Sequence, residues 1–333
     1  MVPESGASAS ADNEDHFQGA TLIGDRKSGQ IVLLSTRNSP DVLRWSVMPS
    51  VEKFRNSLQV LDLHKSRYLR TLDNSIGDLQ QLKRLLLTRC NSLTTLPQSL
   101  GNLTNLTELN LFDSYQVHEL PESIGGLKSL RRLAFGGSSG VANKVLIRLP
   151  ESLGELVNLE ELVLDKCKRL EALPDSIGGL KSLTHLYMRE CKSIQYLPES
   201  IGNCRKLVEV SFTKCFALRA LPDSVGEWKA LEEWSLHKCR SLKTLPESVT
   251  GLHMLAELDL SKCDGLETLP DTLGNLSSLR SLNLGSCGKL ASLPHSIGDL
   301  KSLELLDLSK CKSLDSIPKV ILKFQEVKVG EDD

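Results

Sequence analysis

The dipeptide Leu-Pro returns along this chain with its proline at 97, 121, 150, 174, 198, 222, 246, 270 and 294, and Ile317-Pro318 continues the series. The intervals are 24, 29 and then 24 residues seven times over, and Leu72-Asp73 stands one interval before Pro97. Eleven copies in one register, broken by a single five-residue insertion between Ser114 and Pro150, constrain the fold more than any other feature. A 24-residue unit is too short to enclose a core of its own, so the units must stack and share one.

The unit is clearest from Leu159: LEELVLDKCKRLEALPDSIGGLKS. Leu162 and Leu164 alternate with Glu161, Val163 and Asp165, the period of a short half-buried strand. Cys167 turns the chain, and Pro174 forbids a continuing central strand. Asp175-Ser176-Ile177-Gly178 then predicts a capped, short helical or 3₁₀ segment on the return side. The first half, L-x-x-L-x-L-x-x-C, resembles the leucine-rich-repeat signature. The expected fold class is therefore an α/β repeat solenoid, a leucine-rich-repeat horseshoe with a parallel inner sheet and short helical or 3₁₀ outer segments. At about 4.8 Å per strand, eleven strands extend the sheet to about 50 Å.

The expected boundaries follow from where the period holds. Residues 1–25, mixed Ser, Ala, Asp, Glu and Gly, read as a disordered tail. Residues 26–57 read as an N-terminal cap, with IVLL, a capped helix start at Ser39-Pro40-Asp41, and a degenerate half-repeat at Met48-Pro49-Ser50-Val51. The repeats occupy 58–324, and 325–333 read as a polar tail. The opening MVPESGASASADNEDHF has neither the basic nor the apolar stretch of a secretory signal, and no apolar run reaches the ~18 residues of a membrane span. Forty Lys and Arg against 42 Asp and Glu leave a net charge of −2, so no overall field draws the chain to nucleic acid. A cytoplasmic monomer binding neither nucleic acid nor membrane is expected.

The chemistry-bearing residues have structural explanations. Cys90, Cys167, Cys191, Cys215, Cys239, Cys263, Cys287 and Cys311 hold one repeat slot, and Cys204 stands where other units have Leu180 or Leu252. No C-x-x-C pair exists, and in-register side chains hold neighbouring Cβ atoms too far apart to cross-link, so buried reduced thiols are expected and no metal. The GGLKS segments at 125–129 and 178–182 lack G-x-x-x-x-G-K-[ST], because Leu separates Gly from Lys; no nucleotide or other cofactor is expected. Sequons at Asn102, Asn105 and Asn275 are by-products of the repeat. The seven His are scattered, and no catalytic set stands out from the pattern, so the chain is expected not to be an enzyme.

What remains free of the core's demands is the exposed, concave face of the sheet. There Leu86, Phe112, Ala134, Val163 and Tyr187 place apolar groups in the N-terminal half, where interface anchors would sit. Glu209, Glu233 and Glu257 form an acidic stripe, with Asp259 beside it and Lys214, Lys238 and Lys262 running parallel. Those opposite columns could equally pair with each other and serve only solubility. His185, Asp165, Arg189 and His237 complete the candidate partner-binding set. The acidic column Asp175, Glu199, Asp223, Glu247, Asp271 reads as capping the return segments.

LPDSIGGLKSLTHLYMREC, LPESVTGLHMLAELDLSKC and LPHSIGDLKSLELLDLSKC closely resemble the repeats of plant intracellular disease-resistance receptors, which join a nucleotide-binding switch, often with a Toll/interleukin-receptor domain, to a C-terminal leucine-rich-repeat domain. The resemblance spans residues 58–324. It implies a non-catalytic protein-recognition module in plant innate immune signalling, whose partner is a pathogen effector, a guarded host protein or a resistance-receptor domain. The family's phosphate loop and signalling domain have no counterpart in these residues, so ATP-driven switching is not implied. Plant Ras-group-related leucine-rich-repeat proteins look similar too, which keeps open a scaffold or adaptor for small GTPases or kinases.

Overall fold

A computed structural model describes residues 21–24, 31–35, 46, 48, 50–138 and 140–330. One open sheet runs through it in chain order: β1 Thr21–Gly24, β2 Ile31–Ser35, β3 Val60–Asp62, β4 Arg84–Leu86, β5 Glu108–Phe112, β6 Arg132–Gly136, β7 Glu161–Val163, β8 His185–Tyr187, β9 Glu209–Ser211, β10 Glu233–Ser235, β11 Glu257–Asp259, β12 Ser281–Asn283, β13 Leu305–Asp307 and β14 Glu326–Lys328. From β2 onward every pair is parallel; only β1 joins antiparallel. Each residue pairs with its equivalent one unit on, as Leu186 with Val210, so the period read in the sequence is the register of the ladder.

The ladder extends past each three-residue strand by an unusual backbone device. Lys65, Arg89, Asp113, Lys166, Glu190, Lys214, Lys238, Lys262, Ser286 and Lys310 all hold φ between 58° and 65°. A non-glycine residue there costs about 1 kcal/mol. The turn aims the N–H at the next unit: Lys214 donates to His237 O at 2.6 Å and Lys238 to Ser261 O at 2.8 Å. One strained dihedral per unit thus secures one further inter-unit bond.

Behind the sheet, each Leu-Pro leads into a short 3₁₀ segment such as Asp175–Gly179, entered from an extended Pro174 whose carbonyl accepts from Ile177 N–H. Proline suits this position because the first N–H of a helix has no internal partner. The glycine after Ile is required by contact, not by its dihedrals. A Cβ on Gly202 would lie 2.4 Å from Ser224 O of the next unit, and one on Gly178 2.3 Å from Ser200 O. The capping acids work differently from the expectation. Prolines cap with no side-chain bond, and the glutamates cap the following unit: Glu151 accepts from Ser176 N–H at 3.0 Å and Glu247 from Asp271 N–H at 3.0 Å. Glutamate is long enough to cross to the next unit.

Between the layers the leucine columns are fully buried and form one continuous cluster from Leu34 to Phe324. The cysteines are free, and their thiols donate backward to carbonyls, Cys191 to Leu164 O at 3.1 Å and Cys239 to Phe212 O at 3.2 Å. Burial pushes Cys90, Cys215 and Cys263 up to about 12. Asn143 fills the same slot after the insertion, accepting from Leu146 N–H and donating to Val117 O at 2.8 Å each. Cys204 shares its slot with Trp228, whose Nε1 donates to Ile201 O at 3.0 Å and whose ring meets Trp234 edge-on at 5.3 Å.

Both ends depart from the expected boundaries. Thr21–Gly24, assigned to a disordered tail, forms β1 on β2, with Leu22 opposite Leu34 and Ile23 opposite Leu33. Glu326–Lys328, assigned to a polar tail, forms β14 on β13, with Val327 turned to the core. Met48 and Val51 are buried and belong to the same apolar cluster as the first unit. The capped helix start at Ser39-Pro40-Asp41 lies outside the described residues.

Candidate functional site

Strands of three residues leave narrow rows on the exposed sheet face, and neighbours in those rows decide what is accessible. Leu86 and Val163, expected as exposed anchors, are buried at 8% and 6%, and Ala134 is buried with them. They lie outside the leucine core, on the sheet face itself. Leu86 stands in register between Asp62 and Asn110, and Val163 between Ala134 and Tyr187. At about 4.8 Å between strands, those neighbours wall off a short aliphatic side chain. Phe112 stays half-exposed beside Gly136, but three strands from β8, about 14 Å away.

The first column changes character along the sheet. Arg84 Nε meets Glu108 at 2.7 Å, Glu108 meets Arg132 at 3.3 Å, and Arg132 Nε meets Glu161 at 2.7 Å, an alternating row that satisfies itself. Burial opposes the charge on Arg132, yet the bonds and charges of Glu161 and Glu108 outweigh it and raise its pKa. Beyond His185 the alternation stops. Glu209, Glu233 and Glu257 stand side by side in register, about 5 Å apart. None meets a cation among the described residues: Lys214 pairs with Glu190 at 3.3 Å, away from the stripe. The mutual neutralisation weighed from the sequence is therefore not how the columns meet. Burial first, and then Glu209 and Glu257, raise the pKa of Glu233.

One wall of this stretch is built by a chain of contacts. Buried Asp165 accepts from Arg189 N–H at 2.8 Å, Nε at 2.8 Å and Nη2 at 2.6 Å. These bonds, led by the side-chain bond to Asp165, raise the Arg189 pKa. The guanidinium lies 5.5 Å from the Tyr187 ring centre, and Tyr187 O–H donates to Glu209 Oε2 at 2.7 Å. Burial, then the bond to Glu209, pushes the Tyr187 hydroxyl well above its ordinary range. His185 bonds Thr184 Oγ1 at 2.8 Å and lies 6.2 Å from Tyr187. On the other side, Asp259 accepts from Ser261 N–H at 2.9 Å and from its hydroxyl at 2.5 Å, and His237 Nδ1 meets Ser261 Oγ at 2.6 Å. Burial lowers the His237 pKa.

Between the walls lies a shallow pocket of about 200 Å³ lined by Tyr187, Arg189, Glu209, Glu233, Glu257 and Asp259. Ser211 and Ser235 line it too, with Val210 and Trp234, and Ser235 Oγ meets Thr213 Oγ1 at 2.8 Å. Six residues singled out in the sequence are thus brought together. Asp165 positions Arg189 from beneath, His185 and His237 flank, and Leu86, Phe112 and Val163 lie elsewhere. The two serines escaped sequence reading, although they occupy the middle column between the acids. Outside the pocket lining, the Phe216 ring lies 4.9 Å from Lys192 Nζ and 5.1 Å from the Arg240 guanidinium.

A family model described as a leucine-rich repeat region matches residues 51–172. No curated protein matches. Among solved structures, a leucine-rich-repeat protein of Leptospira interrogans is 28% identical, over 85% of this chain and 81% of that one, at a TM-score of 0.48. The Drosophila Toll–Spätzle complex is 18% identical over 77% of this chain and 44% of that one, at a TM-score of 0.50. The Arabidopsis receptor kinase HAESA, solved with a peptide hormone and a co-receptor, is 19% identical over 90% and 67%, at 0.43. The chain carries a leucine-rich-repeat region and folds as an open leucine-rich-repeat solenoid.

Proposed function

We propose that this solenoid is a non-catalytic protein-recognition module whose partner docks on the exposed sheet face across β8–β11. The observation that carries this reading is the change in the first column, from self-paired Arg84–Glu108–Arg132–Glu161 to three adjacent carboxylates with no ion pair among the described residues. A like-charged row costs stability that the alternating row avoids, and a basic segment of a partner would offset that cost. Tyr187 and Arg189, held in place by Glu209 and Asp165, supply the kind of amphipathic contacts that dominate interfaces. The Toll neighbour, solved as a complex with Spätzle, supports protein binding by this architecture.

The setting we propose, from the repeat resemblance, is plant innate immune signalling in the cytoplasm, with an effector, a guarded host protein or a resistance-receptor domain as partner. Nine free thiols are compatible with a reducing compartment. The test is affinity purification from plant tissue, comparing wild type with a variant carrying Glu209→Lys, Glu233→Lys and Glu257→Lys. A partner captured by wild type and lost by the variant supports the site, and its identity separates defence from a GTPase or kinase scaffold. Equal capture by both moves recognition off this stripe.

A further inference from the structure

The far end of the array carries a large side chain in a slot that glycine holds at most earlier junctions. In the last 3₁₀ segment, Lys319–Lys323, Leu322 occupies the slot that holds Gly202 or Gly226 in earlier units. An added Cβ there collides with the next unit's serine carbonyl, at 2.4 Å for Gly202 and 2.6 Å for Gly226. A unit of the same kind could follow Leu322 only with its 3₁₀ segment displaced, as the shortened Leu273–Asn275 segment is after Thr250. Yet the face is not polar. Leu322 is 78% exposed, and Val320, Ile317 and Val329 are 39–49% exposed around it.

The strand on this face, β14, has one side engaged. Glu326 N–H donates to Glu304 O at 2.8 Å, Lys328 O accepts from Leu308 N–H at 2.8 Å, and Gly330 O accepts from Lys310 N–H at 3.0 Å. Residues 326, 328 and 330 therefore turn their backbone to β13. By strand alternation Gln325, Val327 and Val329 turn theirs outward, the template an edge offers to another strand.

We propose that a second copy of this chain docks here, β14 against β14, antiparallel about a two-fold axis at Val327. In that register Val327 faces Val327 as a hydrogen-bonded pair, and Gln325 faces Val329. Glu326 then lies opposite Lys328 of the second copy, and Lys328 opposite Glu326. Both charged side chains are on the exposed sheet face, Glu326 59% and Lys328 46% accessible, where among the described residues they pair along their own strand at 3.5 Å. The edge is self-complementary in charge, as an isologous contact requires. The axis also sets the two apolar end faces together, joining the leucine cores.

The test is sedimentation velocity of the full chain from about 1 to 300 µM, the range in which a small apolar interface associates. Wild type is expected to move from one chain mass toward two. Glu326→Lys alone, or Lys328→Glu alone, sets like charges opposite each other twice and should weaken association about tenfold or more. An equimolar mixture of the two single variants should regain it, because each lysine then meets a glutamate of the other chain. The doubly swapped chain should regain it too. Unchanged melting of each variant shows that it is folded. Wild type that stays monomeric at the highest concentration overturns the proposal, as does binding of a different protein to this face by a monomeric wild type. Single variants that associate normally, or a mixture that fails to recover, overturn the two-fold register.

Discussion

Replacing Gly202 by alanine adds one methyl group where the units are closest. The new Cβ would sit 2.4 Å from Ser224 O and 2.6 Å from Ser224 Cβ, whereas ordinary contact begins at 3.4 Å. About 1 Å must be recovered by moving backbone, since neither neighbour is the end of a flexible side chain. Overpacking of this kind costs about 1–3 kcal/mol, more than the ~0.8 kcal/mol that burying a methyl returns. At roughly 2 °C per kcal/mol in a chain of this size, thermal unfolding followed by circular dichroism should fall by about 2–6 °C. Gly288→Ala is the matched control, because a Cβ there meets nothing within 4 Å; its melting should hold or rise slightly. If the two variants melt together, the close approach is not what selects glycine. The molecule contains its own version of the experiment. Thr250 holds this slot in one unit, and the next 3₁₀ segment shrinks to Leu273–Asn275, with Thr272 Oγ1 bonded to Thr250 Oγ1 at 3.2 Å. Thr250→Gly with Thr272→Ser should therefore raise the melting temperature.

Three further outcomes follow from the geometry. Glu233 titrates above its ordinary 4.5 in the folded chain, so its favourable contribution is present below that pH and is lost as pH rises; Glu233→Gln should raise the melting temperature at pH 7 relative to wild type, and the gap should close at pH 4. Thiols pushed up to about 12, such as Cys215 and Cys263, should resist iodoacetamide at pH 8 until the chain is denatured, with half-exposed Cys311 labelled first by mass spectrometry. Lys262, at φ 58°, should accept glycine without loss, whereas Lys262→Val should cost about 1–2 kcal/mol in urea unfolding.

The repeat, its strands and the thiol slot were legible because each depends on residues within one 24-residue unit. What escaped depends on the neighbouring unit. Glu151 caps the segment after its own, so its role is invisible without the stack. Leu86 and Val163 look exposed in the pattern and are buried by residues a full period away. The left-handed rim residues gave no backbone signal, because lysine fills six of the ten positions and neither glycine nor asparagine fills any. β14 was missed because Val327 stands alone where earlier strands have a leucine flanked by others. The acidic stripe was legible as a column; that no ion pair reaches it among the described residues was not.

The pairing of Arg132 with Glu161 spans 29 residues, while every other link in that row spans 24. Five additional residues therefore enter the chain without displacing a single tooth of the charged row. Chain length and surface pattern are uncoupled: a unit can be gained or lost by recombination between near-identical segments, and the pattern is edited like type set in a line, one column inserted or removed, with all others left in order.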